Sequence, residues 1–163
     1  MKNIKSMAKA GNCSGTVGVD KPFNAQLVEL TSKVFPPPFG SALVMFARHR
    51  EPHPSYKTKE IYISFGRSLA NDEYIVTPES NQVRITFVDN TVSTEPLIYS
   101  QKSGVATLAF DSEESIFSGE LTNVVLLNQD EEDVELLVNL KFSARGDVYN
   151  AGFNKNSKVA GDA

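Results

Sequence analysis

The chain has 163 residues, a formal net charge of −4, 40% hydrophobic and 22% charged residues, one cysteine and no tryptophan. Such a length fits one domain of about 100–200 residues and is enough to bury a core without staples. A lone cysteine excludes an internal disulfide framework, and the composition is globular, neither disordered nor membrane-like.

The charge is unevenly distributed. Residues 1–70 hold ten Lys and Arg against four Asp and Glu, whereas residues 71–163 hold six against sixteen. Overall acidity argues against a nucleic-acid partner. The asymmetry matters for a protein partner only if folding keeps the two halves apart.

Residues 1–20, rich in Gly, Ser, Asn and Lys, read as a flexible N-terminal arm. Lys5 and Lys9 interrupt every window that could serve as the apolar stretch of about 7–15 residues in a secretory signal. Cys13 follows Ala10-Gly11-Asn12, a poor lipoprotein cleavage sequence. No stretch approaches the ~18 apolar residues of a membrane-spanning helix. The expected location is the cytoplasm, with no membrane span.

Residues 20–34 are ambiguous. Phe23, Leu27, Leu30 and Val34 follow a helical spacing after Asp20 and Pro22, yet Leu27 and Val28 also suit opposite faces of a strand. A strand fits the rest of the chain better, and Pro36-Pro37-Pro38 would end either element. Ser41–Arg48 reads as a buried strand.

From residue 57 onward, alternation dominates. Ile61, Ile63 and Phe65 share one face; so do Val83, Ile85 and Phe87. Val105–Phe110 reads as a strand buried on both faces. In Glu120–Leu127, Leu121, Val125 and Leu127 oppose Glu120 and Thr122. Val134, Leu136, Val138, Leu140 and Phe142 form the longest apolar face. Asn71-Asp72, Thr77–Asn81, Asp89-Asn90, Lys102-Ser103-Gly104 and Asn128–Asp133 are turn chemistry. Turns recur at roughly the 8–12-residue spacing of antiparallel sandwiches and barrels, and no segment is long enough for a βαβ crossover. The expectation is all-β: a single-domain antiparallel β-sandwich of eight or nine strands over residues 21–150, with a barrel as the alternative and a flexible tail over 151–163.

This order of features resembles that of uncharacterised small bacterial all-β proteins. The resemblance rests on Glu60–Phe65, Asn71-Asp72-Glu73-Tyr74, Val83–Asn90, Ser103–Leu108, Phe117–Leu121 and the strand ending in Phe142. That group often has Asn-Gly before the terminal aromatic, where this chain has Asn139-Leu140-Lys141-Phe142, and its members often carry export signals. The resemblance implies a β-sandwich and no particular activity.

Arg48-His49-Arg50-Glu51-Pro52-His53 contains both histidines and has the most chemical character. In an extended chain His49, Glu51 and His53 share a face, and two imidazoles with a carboxylate can hold Zn²⁺ or Fe²⁺. Pro52 and Pro54 oppose a regular central strand there and favour a solvated hairpin loop. Arg48, His49, Arg50, His53, Tyr56 and Lys57 are the candidate contacts for an anion or other small ligand. Asn128–Asp133 offers oxygen ligands for Ca²⁺ but lacks the glycine of an EF-hand loop, and reads better as a charged hairpin tip. Phe35-Pro36-Pro37-Pro38-Phe39 is similar to the Phe-Pro-rich ligands of EVH1 domains and reads as a rigid connection. Tyr56, Tyr62, Tyr74, Tyr99 and Tyr149 are the residues left for stacking a sugar. Nucleophile elbows, Walker loops and dinucleotide fingerprints are missing from the sequence. The expected function is a non-catalytic binding or protein-interaction module, its partner another protein or a second copy. The alternatives are a small-ligand or carbohydrate binder, or a metal-dependent enzyme using His49, Glu51 and His53. No cofactor is expected beyond that divalent metal.

Overall fold

The computed structural model describes residues 11–146. These form ten strands: β1 Gly11–Val17, β2 Pro22–Asn24, β3 Leu27–Phe35, β4 Gly40–Arg50, β5 Thr58–Gly66, β6 Asp72–Ile75, β7 Val83–Asp89, β8 Leu97–Asp111, β9 Ile116–Asn128 and β10 Glu135–Arg145. All pairings are antiparallel. Nine strands follow one path, β2-β1-β10-β9-β8-β7-β5-β4-β3, and β6 attaches to β8. The sheet curls into a half-barrel. The all-β expectation holds, and the barrel alternative describes the molecule better than two facing sheets. Adjacent β8, β9 and β10 are together charge-balanced within their bounds, Asp111, Glu120 and Glu135 against Lys102, Lys141 and Arg145.

The curl brings β3 back toward β1 and β10 without a hydrogen-bonded ladder between them. At the entry to β3, Gln26 extends the β3–β4 ladder: its N–H donates to the Arg48 carbonyl at 2.9 Å, and its Oε1 accepts from Arg50 N–H at 2.7 Å.

Alternation decides what fills the interior, as it must when a sheet folds over its own apolar face. Ile61, Ile63, Phe65, Val83, Ile85 and Phe87 are all at most 1% exposed. Phe65 stacks on Phe117 at 5.6 Å and Phe117 meets Phe142 edge-on at 5.0 Å. Phe87 packs between Phe23 and Tyr99. These rings supply large apolar areas in offset and edge-to-face contacts. Val138, Leu140 and Phe142 are buried as expected.

Four local expectations change. Residues 11–17 form a strand within the sheet, whereas residues 1–10 and 147–163 lie outside the described residues. The glycines there suggested looseness but permit close approach: a Cβ on Gly15, whose φ is +150°, would lie 2.9 Å from Leu140 Cα. Lys102-Ser103-Gly104 is an irregularity inside β8, which continues through Gly104 at φ +121°. A Cβ at Gly104 would lie 2.5 Å from Val124 Cα. In β8, Ala106 and Leu108 are buried and Thr107 is exposed, so the strand is not buried on both faces.

The fourth change is the phase of β9. Leu121 is buried, but the next inward residues are Val124 and Leu126, with Val125 and Leu127 turned away from the core. Pairing with β10 runs Val138↔Val124 and then Leu140↔Leu121, so β9 carries an extra residue in a β-bulge. Asn123 adopts φ 49° there, and its N–H donates to Asn139 Oδ1 at 2.8 Å. One inserted residue exchanges the faces of everything beyond it.

The sheet also splits. Thr86–Asp89 of β7 pair with Leu97–Ser100 of β8, and β6 then takes the same side of β8 at Val105–Leu108. Gln101, 3% exposed, fills the fork. Its Oε1 accepts from Ile85 N–H at 2.6 Å, and its Nε2 donates to the Val83 and Thr77 carbonyls at 3.0 and 2.7 Å. One amide thus satisfies two backbone groups that the departing β7 leaves behind and a third, the Thr77 carbonyl, on the connection from β6. Replacing Gln101 by Leu strands those groups in an apolar setting, at about 1–3 kcal/mol for each buried one. The expected loss is about 3 kcal/mol, read as a lower urea midpoint at unchanged slope; a midpoint equal to wild type would remove this role.

Candidate functional site

The predicted site segment does not form one site. Arg48 points outward from β4, where its Nε donates to Glu60 Oε2 at 3.0 Å and its guanidinium lies 5.3 Å from the Phe46 ring centroid. Arg50 Nη1 donates to the Tyr56 carbonyl, and Ser55 Oγ donates to Glu51 Oε1. His53 and Tyr56 meet edge-on in the loop after β4, and Lys57 N–H donates to Ser55 Oγ. His49 faces inward, its ring 5.6 Å from Phe23 and its Nδ1 against the Asn24 backbone N–H at 3.0 Å. Arg50, Glu51, Ser55, Tyr56 and Lys57 thus engage one another within the hairpin, which Arg50 N–H also ties to Gln26 Oε1.

His49, Glu51 and His53 accordingly do not meet as ligands. Among the described residues, no three His, Cys, Asp or Glu side chains gather in a way that could hold a metal ion. At Asn128–Asp133, Asn128 Oδ1 accepts from the N–H groups of Asp130 and Glu131, which fixes a tight turn with its carboxylates exposed. Phe35–Phe39 joins β3 to β4 through a turn closed by Phe39 N–H on the Pro36 carbonyl.

The tyrosines are also dispersed. Tyr62 packs on Phe46 at 4.9 Å on the outer wall, Tyr74 packs on Phe65, and Tyr99 is buried beside Phe87. Tyr56 sits at the hairpin, and Tyr149 lies outside the described residues. Burial raises the Tyr62 hydroxyl pKa, Glu60 raises it further, and Arg48 opposes both. Among the described residues, the four tyrosine rings each pack on a different neighbour.

Among the described residues, a concave feature lies at one end of the half-barrel. Antiparallel order brings the ends of β1, β4, β7 and β9 together with the starts of β2, β5, β8 and β10. A cavity of about 520 Å³ opens there. Val17, Phe87 and Leu136 supply apolar lining, Lys21, Lys59, Asp89 and Glu135 supply charge, and Val19, Val92 and Leu137 form an apolar rim. Val19 and Val92 are 75% and 71% exposed.

Register sets this mouth. His49, Lys59, Asp89 and Leu97 lie side by side across β4, β5, β7 and β8 in one inward-facing row. The next row, Ala47, Ile61, Phe87 and Tyr99, is fully buried. The barrel therefore changes from a dry core to a polar opening within one step of the pleat. Asp89 Oδ1 accepts from both Thr91 N–H and Thr91 Oγ1, and Glu135 Oε2 accepts from Lys102 Nζ at 2.7 Å. Of the segment singled out in the sequence, only His49 reaches this row. Sequence alternation places Lys59 and Asp89 in phase with Ile61 and Phe87, but their meeting depends on the β5–β7 register.

Comparison with protein-family models, with curated proteins and with solved structures finds no match. The described residues define a curled antiparallel half-barrel with an open, apolar-rimmed end. They contain no helix long and apolar enough to cross a membrane.

Cys13 belongs to β1, opposite Phe142, and is 1% exposed. Burial pushes its thiol pKa from 9.0 to about 12. A thiol held protonated is a poor nucleophile, so Cys13 should resist a disulfide reagent in the native protein at pH 8 and react on unfolding. Because the folded pKa is the higher one, its contribution to stability is full below about pH 9 and is lost toward about pH 12. Urea midpoints should therefore fall less steeply over that range in Cys13→Ala than in wild type; equal slopes, or rapid native labelling, would contradict the buried placement.

Proposed function

We propose that this protein is a non-catalytic binding and interaction module whose binding site is the open end of the half-barrel. The supporting observation is the coincidence, at one end of the sheet, of a cavity of about 520 Å³ and exposed apolar side chains on its rim. Ligand and anchor pockets commonly span about 300–1,000 Å³, with apolar walls and a few placed polar groups. Ile98 and Tyr56 add exposed apolar surface at the same end. Such an opening favours an occupant that inserts an apolar group and leaves polar contacts on the rim. The cavity volume also suits a small amphipathic ligand, the second reading.

Nile red, a neutral apolar dye that brightens on leaving water, is a suitable probe. The mouth variants Val92→Asp and Leu137→Asp should cut its fluorescence at least fivefold, while Val34→Asp, 76% exposed outside the cavity lining, should not. Equal fluorescence in all three variants and wild type would overturn the assignment of the site.

A further inference from the structure

The mouth differs from an ordinary apolar pocket in its surrounding charge. Asp130, Glu131, Glu132 and Asp133 occupy the β9–β10 turn at this end, and Glu95 and Glu51 lie on two neighbouring turns. Arg50 and Lys57 are the cations on those turns, and Arg50 already donates to the Tyr56 carbonyl. The cavity lining is balanced, Lys21 and Lys59 against Asp89 and Glu135. An apolar rim within an acidic surround is complementary to a short basic segment with apolar side chains.

The chain contains such a segment. Residues 1–10, outside the described structure, read Met-Lys-Asn-Ile-Lys-Ser-Met-Ala-Lys-Ala: three lysines, no carboxylate side chain, and Met1, Ile4 and Met7 spaced between the lysines. Their point of attachment is also informative. Gly11 pairs with Ala144, and Val17, at the mouth, pairs with Val138, so the segment joins β1 at the end far from its own mouth. The seven residues of β1 span about 23 Å at roughly 3.3 Å each, and ten further residues reach about 33 Å fully extended. To enter its own mouth the segment would spend about two-thirds of that reach running back along β1. Only its first three residues would then remain to enter, leaving Ile4 and Met7 outside. The mouth of another molecule carries no such restriction.

We propose that residues 1–10 of one molecule occupy the half-barrel mouth of a second copy, giving head-to-tail assembly. This rests on the mouth being the binding site. Such a contact is heterologous: each molecule offers an arm at one end and a receptor at the other, and repetition closes a ring or extends a filament. Lysines of the arm meet the carboxylates of the mouth turns, and its apolar side chains cover Val19, Val92 and Leu137.

The test uses full-length chains and light scattering after size exclusion. Wild type should assemble at 50 mM salt and dissociate toward monomer at 500 mM, as exposed charge pairs are screened. A donor-defective variant, Lys2→Glu/Lys5→Glu/Lys9→Glu, and an acceptor-defective variant, Val92→Asp, should each be monomeric. Mixed together they should form a dimer and no larger species, because one intact arm and one intact mouth remain. Circular dichroism matching wild type establishes that each variant is folded; Val19→Asp replaces Val92→Asp if the latter is not. Assembly by either variant alone, or a mixture that stays monomeric, would overturn the proposal. So would a wild type that is monomeric at every concentration. If that happens while mouth variants still abolish Nile red binding, the arm is wrong and the mouth remains the site; if they do not, both readings fall.

Discussion

The shape of this molecule depends on three hydrogen bonds made by one buried amide. A sheet that splits must leave backbone donors and acceptors without partners at the fork. Here β7 leaves β8 after Ser100 and β6 joins it at Val105, and Gln101 spans the interval by binding Ile85, Val83 and Thr77. The fork gives the two ends different structures. Toward one end, β6 contributes Tyr74, which packs on the Phe65–Phe117 stack. Toward the other, β7 and β8 remain paired and carry the inward row that ends in Asp89 and Leu97. An apolar residue at position 101 would fit the volume but not the hydrogen-bond requirement.

The β-bulge at Asn123 works in the same direction. It adds a residue to β9 opposite Asn139, so Val124 and Leu126 turn inward and Val125 turns away from the core. Gly104 lies against the same place on β8, where backbone approaches backbone closely enough to exclude a Cβ. Bulges and glycine kinks are the usual means by which a sheet acquires curvature. In this chain they occur together, on adjacent strands, at the middle of the longest hairpin.

Strand identity was legible wherever alternation was strong, as in Ile61–Phe65, Val83–Phe87 and Val138–Phe142. It was not legible in β1, because Gly11-Asn12-Cys13-Ser14-Gly15 carries few apolar side chains and is held by its neighbour's backbone. The site was less legible still. Arg48–Lys57 concentrates chemically versatile residues within a short stretch, but that proximity lets them bind one another, and they are used as a hairpin. The mouth is assembled from residues as separated as Val17, Lys59, Phe87 and Leu136. No local spacing marks such a set, since its members become neighbours only through strand order and register.

The sequence by itself determined that the protein is all-β, which residues of the regular strands face inward, and that one cysteine leaves no disulfide. Those properties follow from a two-residue period and from composition, both local. Tertiary structure decided that the sheet curls into one half-barrel, that β9 changes phase midway, and which end opens as a cavity. These depend on where one strand lies against another, and a one-residue bulge is enough to reverse them. The charge asymmetry shows both levels: the sequence separates basic from acidic halves, but β8, β9 and β10 are together charge-balanced, and the fold places carboxylates such as Glu113, Glu114 and Asp130–Asp133 on the turns that join them.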